Sequence, residues 1–195
     1  MGHRLDNKNF RINNEEKALL LRICNADQAA LEHLYNNYYP RLFRFIGRIT
    51  WQDDLIDEII NDVMFTVWEK ANTYNHQCQL STWIFGIAFN KARQAVRNSN
   101  HANEDSLEEI DADNVVFASP DAGLKQLEMT DWLDSALQKL SPEQRAVIEL
   151  TYFQGLHYSE IAVLMDCPEN TVKTRMHYAR KILATHISAD EYAPL

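Results

Sequence analysis

At 195 residues, 46% hydrophobic and 24% charged, the chain carries enough apolar material for one large or two small cores, which excludes a disordered tail. No run approaches the roughly 18 apolar residues of a membrane span, and the opening MGHRLDNKNFRINNEE lacks the apolar core of a secretion signal, so a cytoplasmic chain without membrane insertion is expected. The net charge of −9 opposes a nucleic-acid partner only as a sum: residues 1–97 hold 12 basic and 11 acidic groups, 98–139 hold 2 and 10, and 140–195 hold 5 and 7, so the excess sits in the middle.

Apolar spacing is helical almost throughout, the five glycines leave few breaks, and no period-two run is long enough for a sheet, which predicts an all-α chain of two small helical domains. A lead and first helix occupy residues 1–26, the helix running from about Glu15 to Ile23. Asp27 then offers an N-cap for a helix through Leu31, Leu34 and Tyr35. Pro40 is expected to restart the chain into Leu42, Phe45, Ile46 and Ile49. Asp53 and Asp54 open a long helix with Ile56, Ile59, Ile60, Val63, Met64 and Val67 on one stripe, ending near Lys70. After the polar loop 72–79, Ser81 caps a helix that finishes at Arg97, closing a domain over 27–97.

Residues 98–122 carry seven acids, no Lys or Arg, and a proline, and read as a flexible acidic linker. A helix from about Leu124 to Leu140 leads into a second domain over 123–187, followed by a tail over 188–195. Ser141-Pro142-Glu143-Gln144 combines an N-cap, a first-turn proline and a capping-box glutamine. Its helix stops near Gly155. A short helix from His157 to Met165, the turn Asp166-Cys167-Pro168 and a last helix beginning at Asn170-Thr171 make a helix-turn-helix, whose second helix lies in the major groove. Within that helix Val172, Met176, Ala179 and Leu183 share one stripe, while Lys173, Thr174, His177, Tyr178 and Lys181 share another. Residues 170–187 hold four basic side chains, two histidines and no acid, a local basic face on an acidic protein.

Cys24, Cys78 and Cys167 are odd in number and far apart, so they predict neither disulfides nor a thiolate metal site; only Cys78, in the polar loop, reads as an exposed thiol. The seven histidines are scattered, and neither a nucleophile–base arrangement nor a glycine-rich phosphate loop appears. No enzyme, cofactor or metal is expected.

Two blocks resemble a known family. LSPEQRAVIELTYFQGLHYSEIAVLMDCPENTVKTRMHYARKIL is similar to region 4 of bacterial sigma factors of the sigma-70 family, extracytoplasmic-function (ECF) group. DDLIDEIINDVMFTVWEKA followed by STWIFGIAFNKARQAVR is similar to their region 2. The later block alone equally suits a LuxR-like helix-turn-helix regulator acting without polymerase, and the earlier block favours the sigma reading. The resemblance implies a transcription initiation factor that binds RNA polymerase core enzyme, directs it to promoter DNA and opens the duplex. It places Glu58, Asn61, Asp62 and Trp68 against polymerase. It places Tyr74, Asn75, His76, Gln77, Asn90, Lys91, Arg93, Gln94 and Arg97 on the minus-ten element, where a flipped base is captured. Asn170, Thr171, Lys173, Thr174, Arg175, His177, Tyr178, Arg180 and Lys181 fall on the minus-thirty-five element, with Arg180 and Lys181 suited to phosphates. Arg175 is open between bracing the helix pair and touching DNA, and Trp83 between core packing, favoured by its spacing with Ile84 and Ile87, and base contact. Asp166 stands where the family often has glycine, Gln94 where it often has aspartate, and Phe89 where it often has arginine. VMFTVWEKA with STWIFGIA is similar to the stress-response subgroup held inactive by zinc-binding anti-sigma factors, which implies an anti-sigma partner.

Overall fold

The computed structural model describes residues 15–104 and 133–190, and every regular element among them is helical. Residues 15–24 form α1. It ends in a Schellman turn, with the Ala26 N–H donating to Ile23 O (2.9 Å) and the Asp27 N–H to Arg22 O (3.1 Å) around a left-handed Ala26 at φ 59°. Asp27 then caps α2 (Gln28–Thr50), its Oδ1 accepting from the Ala30 N–H at 3.2 Å. The break expected at Pro40 is absent, because Pro40 lies inside α2 on its exposed face. The buried stripe Leu34, Tyr38, Leu42, Phe45 and Ile49 stays in helical register past it, and its burial outweighs one lost backbone bond.

Asp53–Lys70 forms α3, and a 3-10 turn at Ala71–Thr73 hands the chain to the loop before α4 (Leu80–Glu104). The helix expected to finish at Arg97 runs seven residues further, because nothing in NSNHANE breaks it and Ser99 donates to Gln52 Oε1 at 3.1 Å, tying it to the start of α3. Helices α2, α3 and α4 bury Leu34, Phe45, Ile46, Ile56, Ile60, Val63, Ile84, Phe85 and Ala88 between them. The Phe45 and Phe85 rings meet edge-on at 5.1 Å. The lead 1–14, most of the anticipated acidic linker, the start of the helix assigned to Leu124–Leu140 and the end of the tail lie outside the described residues.

Residues 133–138 are the described part of α5. The capping box of α6 (Pro142–Ile148) forms as anticipated: the Gln144 N–H donates to Ser141 Oγ at 3.3 Å and the Ser141 N–H to Gln144 Oε1 at 3.0 Å. The helix then widens into a π turn, Glu149–Phe153, before Gly155 ends it at φ 69°. Helices α7 (Tyr158–Leu164) and α8 (Glu169–Asp190) complete the described residues.

The two helical groups are packed against one another. Arg48 of α2 donates from Nη1 to Glu149 Oε1 (2.6 Å) and from Nε to Asp134 Oδ1 (3.2 Å), and its guanidinium lies 4.8 Å from the Phe153 ring centre. Arg145 of α6 reaches back, donating from Nη1 to Arg48 O (3.1 Å) and lying over the ring of Trp51 at 5.5 Å. Trp51 itself is left-handed at φ 53°. Arg41 donates to Gln154 Oε1 at 2.7 Å, and a Cβ at Gly86 of α4 would stand 3.5 Å from Leu164 of α7.

Two local substitutions test the helix ends. Ser141→Ala is expected to lower stability by about 1 kcal/mol through loss of the cap. Ala26→Gly is expected to raise it by about 0.5–1 kcal/mol by relieving the left-handed alanine, net of the added unfolded-state freedom. Thermal unfolding monitored by circular dichroism reads both signs.

Candidate nucleic-acid interface

The helix-turn-helix is assembled by backbone geometry at its turn. Glu160 Oε2 accepts from the His157 N–H at 2.9 Å and starts α7. The turn is a second Schellman motif: the Cys167 N–H donates to Ala162 O (3.0 Å) and the Asp166 N–H to Val163 O (3.3 Å). Asp166, at φ 49°, occupies the left-handed position where the family often has glycine. Aspartate tolerates this region better than most residues.

Helix α8 then presents two faces. Val172, Met176 and Ala179 are buried against α6 and α7, with Leu183 half-buried, while Lys173, Thr174, His177, Tyr178 and Lys181 are exposed. His177 and Tyr178 meet edge-on at 5.6 Å, and Lys173 pairs with Glu169 one turn back at 2.8 Å. Asn170 is exposed at the helix start and Thr171 half-buried. The two arginines differ from the lysines. Arg175 is half-buried with Nη1 3.6 Å from Cys167 Sγ, bracing the turn, and Arg180 donates to Tyr152 Oη at 2.7 Å.

The loop before α4 is built around Tyr74. Its ring is buried, meets His76 edge-on (4.6 Å) and Trp83 at a tilt (5.4 Å), and its hydroxyl donates to Cys78 O. Burial pushes the phenol up to about 12. Tyr74 is therefore the post of the loop and turns inward, while Asn75, His76 and Gln77 stand outward. Asn75 Oδ1 accepts from the Gln77 N–H at 3.1 Å, and His76 sits left-handed at φ 59°. Trp83 packs against the core, as its spacing favours. Cys78, expected to be exposed, is half-buried, and burial raises its thiol pKa, with a smaller push from the nearby Glu160 carboxylate.

On α4, Asn90, Arg93, Gln94 and Arg97 are all exposed at helical spacing along one face. Lys91 points elsewhere: its Nζ pairs with Asp62 Oδ2 of α3 at 3.0 Å, joining a residue assigned to DNA with one assigned to polymerase. Glu58, Asn61 and Asp62 are exposed on α3. Beside them Leu31, Tyr35, Phe65 and Trp68 line an apolar groove between α2 and α3. Phe65, 61% exposed, was not singled out from sequence, although it falls off the buried stripe of α3.

The same two blocks match described families. Sigma-70 region 2 covers residues 34–101, and Sigma-70 region 4 covers residues 130–183. The chain belongs to the sigma-70 family, in its ECF group. The ECF RNA polymerase sigma factor RpoE of Cereibacter sphaeroides is 28% identical over 169 residues, covering 83% of this chain and 88% of the relative. The ECF RNA polymerase sigma-E factor of Escherichia coli K12 is 23% identical, covering 86% and 92%. Among solved structures, CnrH in complex with the cytosolic domain of CnrY has a TM-score of 0.66 at 21% identity, covering 90% of this chain and 99% of that one. RpoE of Bartonella quintana, solved with the anti-sigma factor NepR, has a TM-score of 0.64 at 23% identity, covering 82% and 97%. Both show the fold.

As an ECF sigma factor the chain is a transcription initiation factor that joins core RNA polymerase and directs it to promoters. The region 2 match leaves the LuxR-like reading without support. No helix among the described residues is long and apolar enough to cross a membrane, and none of their His, Cys, Asp and Glu side chains cluster as metal ligands.

Phe65→Ser tests whether the groove between α2 and α3 meets core polymerase. An exposed aromatic contributes little to the fold, so the unfolding free energy is expected to stay within about 0.5 kcal/mol of the parent. Affinity for core polymerase, measured by fluorescence titration, is expected to fall about tenfold or more, as for a truncated interface anchor.

Proposed function

We propose that this ECF sigma factor divides promoter recognition between the two faces described above. Helix α8 reads the minus-thirty-five element with Lys173, Thr174, His177 and Tyr178 toward base edges and Lys181 toward phosphate. Asn75, His76 and Gln77 receive an extruded base of the minus-ten element. Asn90, Arg93, Gln94 and Arg97 follow the separated strand along α4, where extrusion costs a few kcal/mol that stacking and edge hydrogen bonds must offset. Glu58, Asn61 and Asp62, with Phe65 and Trp68 beside them, form the polymerase-facing side, an acidic rim around an apolar centre. The protein has no catalytic step of its own.

The observation that carries this reading is the division of α8 into a buried apolar stripe and an exposed donor-rich one, held at a fixed angle by the turn at Asp166. Arg175 and Arg180 are assigned to structure, since each is already engaged with Cys167 and Tyr152. The linker over 98–122 is narrowed to the residues after Glu104. Regulation comes from an anti-sigma factor that covers these faces; the Bartonella quintana neighbour was solved with such a partner.

Run-off transcription with core polymerase tests the division. Lys173→Ala with Tyr178→Ala is expected to cut promoter-dependent transcripts at least about tenfold at unchanged core affinity, since each lost base contact removes about 1–3 kcal/mol of discrimination. Replacement of Asn75, His76 and Gln77 by alanine is expected to leave minus-thirty-five binding intact and to abolish permanganate reactivity of melted thymines. Arg175→Ala should lower the unfolding temperature without altering which promoters are used. An unchanged transcript pattern in both alanine variants would remove the assignment.

A further inference from the structure

Among the described residues, the outward face of α8 carries one acid. Glu169 is exposed and falls one residue before the acid-free stretch 170–187. With Lys173 and His177 it forms a row at four-residue spacing, beside the row Asn170, Thr174 and Tyr178. The first residues of a recognition helix are those that meet base edges, so Glu169 brings a carboxylate to a polyanion. Alone it would repel phosphate. It is instead paired, with Lys173 Nζ 2.8 Å from Glu169 Oε1. An exposed pair one turn apart contributes little to the fold, so its consequence lies in what it offers the groove.

We infer that Glu169 and Lys173 form one reading unit that selects a G·C base pair within the minus-thirty-five element. The inference rests on the promoter reading of α8 proposed above and adds Glu169 to it. Base pairs differ in the order of donors and acceptors along the major-groove edge. A G·C pair shows guanine N7 and O6 as acceptors next to the cytosine N4 donor; an A·T pair shows adenine N7, the N6 donor, thymine O4 and the methyl group. A carboxylate only accepts and an ammonium only donates. The 2.8 Å between Oε1 and Nζ matches the roughly 2.9 Å between cytosine N4 and guanine O6, which are themselves joined by an N–H···O bond. Laid against that edge, Glu169 accepts from N4, Lys173 donates to O6, and the ring closes through the ion pair. Guanine N7, next to O6, is a second acceptor for the three donors of Lys173. Against A·T the same unit meets two obstacles: adenine N7 sets a lone pair against the carboxylate, and the thymine methyl crowds the ammonium. Thr174 does not compete for the polar contact, because its hydroxyl is already donated to Asn170 O at 2.9 Å. As a neutral pair, the unit adds no general attraction for phosphate and acts on sequence.

The test is transcription by core polymerase carrying the full chain, from a promoter library randomised through the minus-thirty-five element, with the transcripts sequenced. The parent is expected to prefer G·C over A·T at one position by at least about fivefold. Glu169→Gln keeps the side chain's size but exchanges an acceptor-only group for an amide that pairs bidentately with adenine. The preference at that position, and at no other, is therefore expected to move toward A·T. Lys173→Met is expected to flatten the same position. Both sites are exposed, so thermal unfolding of the variants is expected to match the parent, which separates a changed profile from a lost fold. An unchanged profile with Glu169→Gln, a uniform loss across all positions, or Lys173→Met acting at a different position from Glu169→Gln overturns the unit. Tyr178→Ala tells its failure from that of the underlying reading. If Tyr178→Ala alters minus-thirty-five preferences while Glu169→Gln does not, α8 reads the promoter and the unit alone fails; if none of the three variants alters them, the promoter reading of α8 fails as well.

Discussion

Helices α6 and α7 have seven residues each, well below the roughly 12–15 at which an isolated helix becomes even marginal in water. What makes them helical is burial of the apolar stripe of α8. Val172 and Met176 are almost fully enclosed and Ala179 completes the seam, and side chains of the Val and Met class each contribute about 1.5–3 kcal/mol on full burial. The same burial sets the azimuth of α8. Rotating it by one residue would move Lys173 and His177 toward Leu164 and bring Val172 to solvent, so the reading face exists because the opposite face is dry. Capping refines this arrangement at Ser141 and Glu160, and the Schellman turn at Asp166 fixes the crossing. Each of these devices satisfies backbone groups that a short helix would otherwise leave unpaired.

A second constraint lies where the two helical groups meet. Burial pushes the Glu149 carboxyl upward in pKa, while the adjoining Arg48 and, further off, Arg44 pull it back. Arg145 is shifted in the complementary direction, its guanidinium lowered to about 10 by burial. Glu149 Oε2 and the Trp51 indole nitrogen are buried without a hydrogen-bond partner, so the contact is not optimised as a permanent core would be. The centre of the contact is thus more polar than a hydrophobic core. Domain contacts within one chain commonly have that character.

Much of this was legible from apolar spacing, because the stripe of α3, the capping box at Ser141 and the two faces of α8 are written in local sequence. Pro40 misleads for a clear reason: a proline breaks a helix when its surroundings are neutral, and here the buried stripe from Leu34 to Ile49 stays in one register on both sides of it. Arg97 looks like an end because the composition turns polar, yet polarity alone does not stop a helix once Ser99 finds Gln52. The π turn at Glu149–Phe153 has no local signature. Glu149 reads as an ordinary surface acid, and its partner stands 101 residues away. Tyr74 belongs to the same class of misreading. An aromatic in a polar loop invites a base-stacking role, and only the positions of His76, Trp83 and the Cys78 carbonyl reveal that it holds the loop from within. Sequence likewise grouped Arg180 with Lys181, and only the neighbours of Arg175 and Arg180 in space set them apart from the lysines.

Charge placement explains how an acidic chain serves as a promoter reader. Phosphate neutralisation gives nonspecific DNA affinity in proportion to the basic groups that reach the backbone, and it decays steeply with salt. Here two of the four basic groups of α8 are engaged within the protein, Lys173 is shared with Glu169, and acids outnumber bases by nine over the whole chain. Little nonspecific attraction therefore remains to hold the free protein on DNA. The groove at Leu31, Tyr35, Phe65 and Trp68 has no such handicap, since its apolar walls and the acids beside it favour a basic, partly apolar protein surface over a polyanion. The two surfaces thus differ in what they favour: the groove suits a protein partner, while the exposed stripe of α8 adds little general attraction for DNA.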